Sequence, residues 1–194
     1  MASFLVVYGS SEGQTAKISE RIVDVLADRG HEATAVSAGS VPTDVDPDAF
    51  DAILVGSSIH MGKHAKPVYT FVRENRAALE DRPNAFFQVS ISSANPDDEA
   101  QAHAATYVDE FIEGSGWHPD RIALFGGALR YSKYGFLTRI VMKRIARDAT
   151  GDTDTSRDYE YTDWDEVEAF AADVASLVET GDVSASGESE GTQA

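Results

Sequence analysis

Five short strand-like runs, Phe4–Tyr8, Glu32–Ser37, Ala52–Gly56, Ala85–Ser90 and Ile122–Gly126, are separated by stretches with helical periodicity. After the first run, Ile18, Ile22, Val25 and Leu26 fall on one face of an amphipathic helix. A second helical pattern covers about Pro67 to Leu79. A third begins at Asn95-Pro96, where asparagine can cap and proline fits the first helical position, and runs towards Ile112. The last spans about Asp163 to Val178, with Thr162 as its candidate cap. Strands that alternate with helices are joined by crossovers, so neighbouring strands run parallel. The expectation is an α/β fold, a doubly wound five-stranded parallel sheet, for which the order 2-1-3-4-5 is the commonest small arrangement. At 194 residues the chain suits one domain around a single core. That domain is placed at residues 1–180. The segment 181–194, "GDVSASGESEGTQA", holds one valine among small, polar and acidic residues and is expected to be a disordered acidic tail. There is no internal repeat.

Composition removes several classes of function. The chain has no cysteine, which excludes disulfides, thiolate chemistry and cysteine-ligated clusters. Any redox role must use a bound organic cofactor or a histidine and carboxylate metal site. A net charge of −17 argues against nucleic-acid binding, which needs a positive footprint. It suits either a solvated surface in high salt, where screening weakens self-repulsion, or an acidic face for a partner. No run approaches the roughly 18 apolar residues of a membrane span, and the N-terminus lacks a signal-peptide pattern. The expected location is cytoplasmic, with peripheral contact on the cytoplasmic face of a membrane left open.

Ligands of such sheets sit beyond the carboxyl ends of the strands. The first strand ends in "GSSEGQT", where Ser10, Ser11 and Thr15 supply hydroxyls and Gly13 allows a tight turn. Backbone N–H groups at the start of the following helix bind anions without a basic side chain. That chemistry suits a phosphate monoester, although such a cluster also serves simply to turn the chain and cap a helix. The G-x-x-x-x-G-K-[ST] and G-x-G-x-x-G patterns are both absent, which weighs against nucleoside triphosphates and dinucleotides.

The third strand ends in "GSSIHMGKH", with Ser57 and Ser58 followed by Ile59, His60 and Met61 at a loop tip suited to a flat ring. His60 and His64 are four residues apart, but no H-E-x-x-H pattern accompanies them, and no metal is expected. The fourth strand ends in "SISSAN": Ser90, Ile91, Ser92, Ser93, Ala94 and Asn95. One phosphate loop and two ring loops on a single sheet edge describe a flavin mononucleotide (FMN) site.

Arg130 to Asp158 does not fit the alternation and is too long for a simple loop. Arg130, Lys133, Arg139, Lys143, Arg144 and Arg147 are basic, and no acid lies between the first and last of them. As a helix from Phe136 to Arg147, the segment sets Arg139, Lys143 and Arg147 in one stripe and Leu137, Val141 and Ile145 in another. These residues suit a helix docked on the domain or contact with anionic lipid headgroups.

"GSSEGQT" resembles the flavodoxin phosphate loop, with Glu12 where a hydroxyl residue is common. "DAILVGSSIHMGKH", "WHPDRIALFGGALRYSKY" and "TGDTDTSRDYEYTDW" resemble the menaquinone-dependent protoporphyrinogen dehydrogenase family, across about Ser3 to Val178. The resemblance implies a flavodoxin-like fold with an inserted helical segment near the fifth strand, about residues 130–157. It implies FMN as cofactor, protoporphyrinogen IX as substrate and menaquinone or another quinone as acceptor, in haem synthesis. It further implies that Ser10, Ser11, Glu12, Gly13, Gln14 and Thr15 surround the phosphate. Ser57, Ser58, Ile59 and His60 then line the ring, with Ser90 to Asn95 on its other side. His60 is a candidate for proton transfer, because an imidazole titrates near neutral pH. Arg130, Tyr131, Lys133, Tyr134, Phe136, Arg139 and Lys143 are candidates for substrate or membrane contact, on charge and aromatic content. The alternative is a flavodoxin-like electron carrier that docks protein partners through its acidic surface.

Overall fold

The computed structural model describes residues 1–130, 143, 154, 156 and 158–180. Five parallel strands form the main sheet: β1 (Ser3–Gly9), β2 (Glu32–Ser37), β3 (Ala52–His60), β5 (Asn84–Ser90) and β6 (Arg121–Gly126). Their order is β2-β1-β3-β5-β6, which is the expected 2-1-3-4-5 when these five are counted alone. A short β4 (Lys63–His64) pairs antiparallel with the end of β3. A separate ribbon joins β7 (Ala128–Leu129) to β8 (Tyr159–Glu160).

The period-two alternation of side chains sorts the sheet into two faces. Phe4, Val6 and Leu54 point to the face covered by α1 (Gln14–Asp28) and α5 (Trp164–Thr180), against Ile18, Ile22 and Val174. Leu5, Val7, Ile53 and Val55 point to the other, covered by α2 (Lys66–Glu74), α3 (Arg76–Glu80) and α4 (Asp98–Ser115). The central strands are apolar on both faces because both are covered, as a parallel sheet requires. Each fully buried aliphatic or aromatic side chain stabilises by roughly 1.5–3 kcal/mol.

Three helix boundaries differ from expectation, each for a local reason. The pattern from Pro67 to Leu79 forms two helices, α2 and α3, with Asn75 between them; its side-chain amide donates to the Phe71 carbonyl at 2.8 Å. Asn95 does not cap α4. As the residue before Pro96 it is extended, and Asp97 caps instead, accepting from the Glu99 amide at 2.9 Å. At α5, Asp163 accepts from the amides of Asp165 at 3.0 Å and Glu166 at 3.3 Å, which releases Thr162 for another role.

The tail 181–194 and most of the inserted segment, including Tyr131, Lys133, Tyr134, Phe136 and Arg139, lie outside the described residues. Lys143 is exposed.

Candidate functional site

The carboxyl ends of β1, β3, β5 and β6 lie side by side, with Gly9 opposite Ser57, Ser58 opposite Val89 and Ser90 opposite Gly126. The three polar loops therefore leave the sheet from one edge.

The first loop is shaped by backbone constraints. A Cβ on Gly9 would lie 2.6 Å from Val68 Cγ2 and 2.7 Å from the Ala65 side chain, so only glycine lets β1 end against α2. Gly13 takes the left-handed conformation, φ 96°, and donates its N–H to Ser10 Oγ at 3.0 Å. Helix α1 starts at the next residue. Among the described residues no side chain caps its first amides, and its first turn holds no acidic residue.

Thr15, in that first turn, is fully buried, and its hydroxyl has no hydrogen-bond partner among the described residues. Leaving such a group unmatched costs about 1–3 kcal/mol. Open amides, the positive end of a helix and an orphaned hydroxyl together form a cradle for an anion. The donors present fit the phosphate of FMN. Ser11 is exposed and Glu12 half-buried in the same bend.

Gln14 contributes differently from its neighbours. Its side chain is buried and engaged within the protein: Nε2 donates to Thr162 Oγ1 at 2.9 Å, and Oε1 accepts from Arg130 Nη2 at 2.9 Å. What it can offer a ligand is its backbone amide.

In the second loop, Ser57 is fully buried. Its Oγ accepts from the Ala65 amide at 3.1 Å and donates to the Ser58 carbonyl at 3.3 Å, which closes the base of the β3–β4 hairpin. Ser58 Oγ donates to the Gly9 carbonyl at 3.3 Å and ties this loop to the first. Ile59 is half-buried, His60 exposed, and Met61 at the tip is 86% exposed with φ 50°. His64 is buried among Tyr69, Phe86 and Phe111, with Nε2 3.1 Å from the Tyr107 carbonyl. Burial depresses its pKa to about 4, against the opposing pull of Tyr107 and Gln88.

The third loop is knotted by hydroxyls. Ser90 Oγ lies 2.7 Å from Ser93 Oγ and accepts from the Ser93 amide at 3.0 Å. Gln101 Nε2 donates to the carbonyls of Ser93 at 3.1 Å and Asn95 at 2.6 Å, which seats the turn Ser92–Ala94 on α4. Ile91 packs with Leu129, Tyr159 and Tyr161 from the β7–β8 ribbon.

Sequence reasoning gave Thr162 only the role of a helix cap and missed Glu160. Thr162 Oγ1 donates to the Gly126 carbonyl at 2.6 Å while accepting from Gln14. Glu160 meets Lys17 at 2.7 Å, Trp164 Nε1 at 3.2 Å and Arg130 at 3.5 Å. Burial pushes its pKa up, but the Lys17, Trp164 and Arg130 contacts outweigh that and hold it below the usual carboxylate value. Arg130 thus turns towards the first loop. The sequence signal for these residues is the block "TSRDYEYTDW", which carries no local motif.

Comparison with known proteins identifies the family. A family model described as the flavodoxin domain matches residues 5–156. The protoporphyrinogen IX dehydrogenase (quinone) of Escherichia coli strain K12 is 29% identical over 175 residues, covering 90% of this chain and 96% of that protein. The protein of the same name from Leishmania major is 30% identical over 176 residues, covering 89% of this chain and 74% of that one. Among solved structures, a flavodoxin from the domain Archaea aligns with a TM-score of 0.52 at 19% identity, covering 91% of this chain and 99% of the flavodoxin. Oxidised Flavodoxin 1 from Bacillus cereus gives 0.50 at 13% identity, covering 90% and 98%. At those identities the structures speak to fold alone. FMN is the cofactor of this domain family. The chain belongs to the flavodoxin domain family and, within it, to the protoporphyrinogen IX dehydrogenase family of oxidoreductases.

Proposed function

We propose that this chain holds FMN at the carboxyl edge of its sheet and oxidises protoporphyrinogen IX to protoporphyrin IX, with a quinone such as menaquinone as acceptor, in haem synthesis. The observation that carries the reading is the buried Thr15 hydroxyl without a partner at the uncapped start of α1, in a chain whose relatives bear that enzyme's name. When bound, FMN supplies the redox chemistry, accepting electrons from the substrate in pairs and yielding them to the quinone.

The chain's own residues bind, orient and shield. Ser10, Gly13, the Gln14 amide and Thr15 hold the phosphate. The hairpin from Ser58 through Ile59 to His60 lies along one side of the ring, and Ser90 to Asn95 along the other. His60, exposed at the hairpin, is the candidate to move a proton between substrate and solvent. Lys133, Arg139 and Lys143 are the candidates for propionate or anionic headgroup contact. Among the described residues, no helix is long and apolar enough to cross a membrane.

The test is anaerobic. FMN-loaded protein is mixed with protoporphyrinogen IX and the flavin absorbance followed. Rapid bleaching is expected. A flavin that stays oxidised would contradict the dehydrogenase and leave an electron carrier, whose acidic surface then becomes the docking face.

A further inference from the structure

Gln14 stands between two parts of the chain that are distant in sequence. Arg130, which donates to its Oε1, is 116 positions away, and Thr162, which accepts from its Nε2, is 148 positions away. Both flank the β7–β8 ribbon, Arg130 directly after β7 and Thr162 two residues after β8. The ribbon is itself pressed onto the sheet: a Cβ on Gly126 would lie 2.3 Å from the Tyr161 carbonyl oxygen. Thr162 Oγ1 donates its hydrogen bond to the Gly126 carbonyl at 2.6 Å, so its hydroxyl is oriented to accept from Gln14. One turn further along α1, Lys17 reaches Glu160 of the same ribbon at 2.7 Å.

We propose that Gln14 is the joint through which the β7–β8 ribbon sets the flavin-phosphate loop, with Arg130 and Thr162 as positioning residues for the cofactor; this rests on the FMN reading above. The buried Gln14 side chain is gripped at both its donor and its acceptor end, which fixes the backbone of the residue whose amide opens α1. Thr15, with its orphaned hydroxyl, follows directly. Hydrogen bonds weaken steeply with misalignment, so a small rotation of this turn costs the phosphate its donors.

Lys17 and Arg130 both pair with Glu160, so on this proposal the ribbon favours FMN over riboflavin by placing the loop's donors. By linkage, FMN stabilises the ribbon to the same extent that the ribbon favours FMN.

The test titrates apoprotein with FMN and with riboflavin, following quenching of flavin fluorescence, for wild type, Arg130→Met, Gln14→Leu and the double variant. Each single change is expected to weaken FMN binding about tenfold and leave riboflavin binding unchanged. The double variant should be no weaker than Gln14→Leu, because Arg130 acts through Gln14. Thr162→Val should behave like Gln14→Leu and Thr162→Ser like wild type, a comparison that stands even if Gln14→Leu fails to fold. The proposal is overturned if FMN binding survives the single changes, if both flavins weaken together, or if the effects of Arg130→Met and Gln14→Leu add. A wild type that binds neither flavin overturns the FMN reading instead.

Discussion

His64 Nε2 lies 3.1 Å from the backbone carbonyl oxygen of Tyr107, which fastens the β3–β4 hairpin to α4. The same burial that allows this contact holds the imidazole neutral down to about pH 4, whereas the unfolded chain takes up that proton near 6.5. Between those values the unfolded state binds more protons. Stability is therefore full above the upper value and falls with falling pH, by up to about 3 kcal/mol from this residue.

His64→Phe keeps an aromatic ring in the cluster and removes the titration. Wild type is expected to be the more stable at about pH 7, and the gap should narrow or reverse by about pH 4.5. Thermal unfolding across that range checks it; a constant gap would show that His64 is not the titrating group.

Gly56 and Phe87 are register partners on β3 and β5, and a Cβ on Gly56 would lie 2.1 Å from Phe87 Cζ. The ring occupies the space that a side chain would need. Gly56→Ala should displace it and cost about 1–3 kcal/mol, lowering the melting temperature by several degrees. A melting temperature equal to wild type would mean that the ring moves freely.

Thr15→Val separates stability from binding. Without flavin the variant should be at least as stable as wild type, because it removes a buried hydroxyl that has no partner. Its affinity for FMN should fall roughly ten- to a hundredfold, the loss of one hydrogen bond to a charged group. Calorimetry and flavin titration on the same preparation give both numbers. Unchanged affinity would remove Thr15 from the phosphate site.

The net charge of −17 sets a further expectation. Self-repulsion across the surface is screened by salt. The melting temperature should rise between dilute buffer and molar potassium chloride, as followed by far-UV circular dichroism. Equal values would show that the acidic surface is no adaptation to salt.

The strands and their order were legible because alternation of apolar runs and helices is a local pattern with few topological solutions. The place of the first loop was legible for the same reason: Ser10, Gly13 and Thr15 follow directly on the end of β1. Two things were not. The i, i+4 spacing of His60 and His64 groups side chains only on a helix. In the tight β3–β4 hairpin Ile59 faces His64 and His60 faces Lys63, so one histidine is exposed and the other buried. The grip of Arg130 and Thr162 on Gln14 is a side-chain pairing across more than half the chain, which leaves no periodicity or motif to read. Arg130 was weighed by its charge, while its position at the root of the ribbon decides where it points.

The most direct test of the proposed activity is porphyrin fluorescence under anaerobic conditions in high potassium chloride, with protoporphyrinogen IX, FMN and a menaquinone analogue. Porphyrin should accumulate over many turnovers only when protein, FMN and quinone are all present, and more slowly with Thr15→Val at limiting FMN. Porphyrin formation that is indifferent to the quinone, or absent with FMN fully bound, would contradict the proposed reaction.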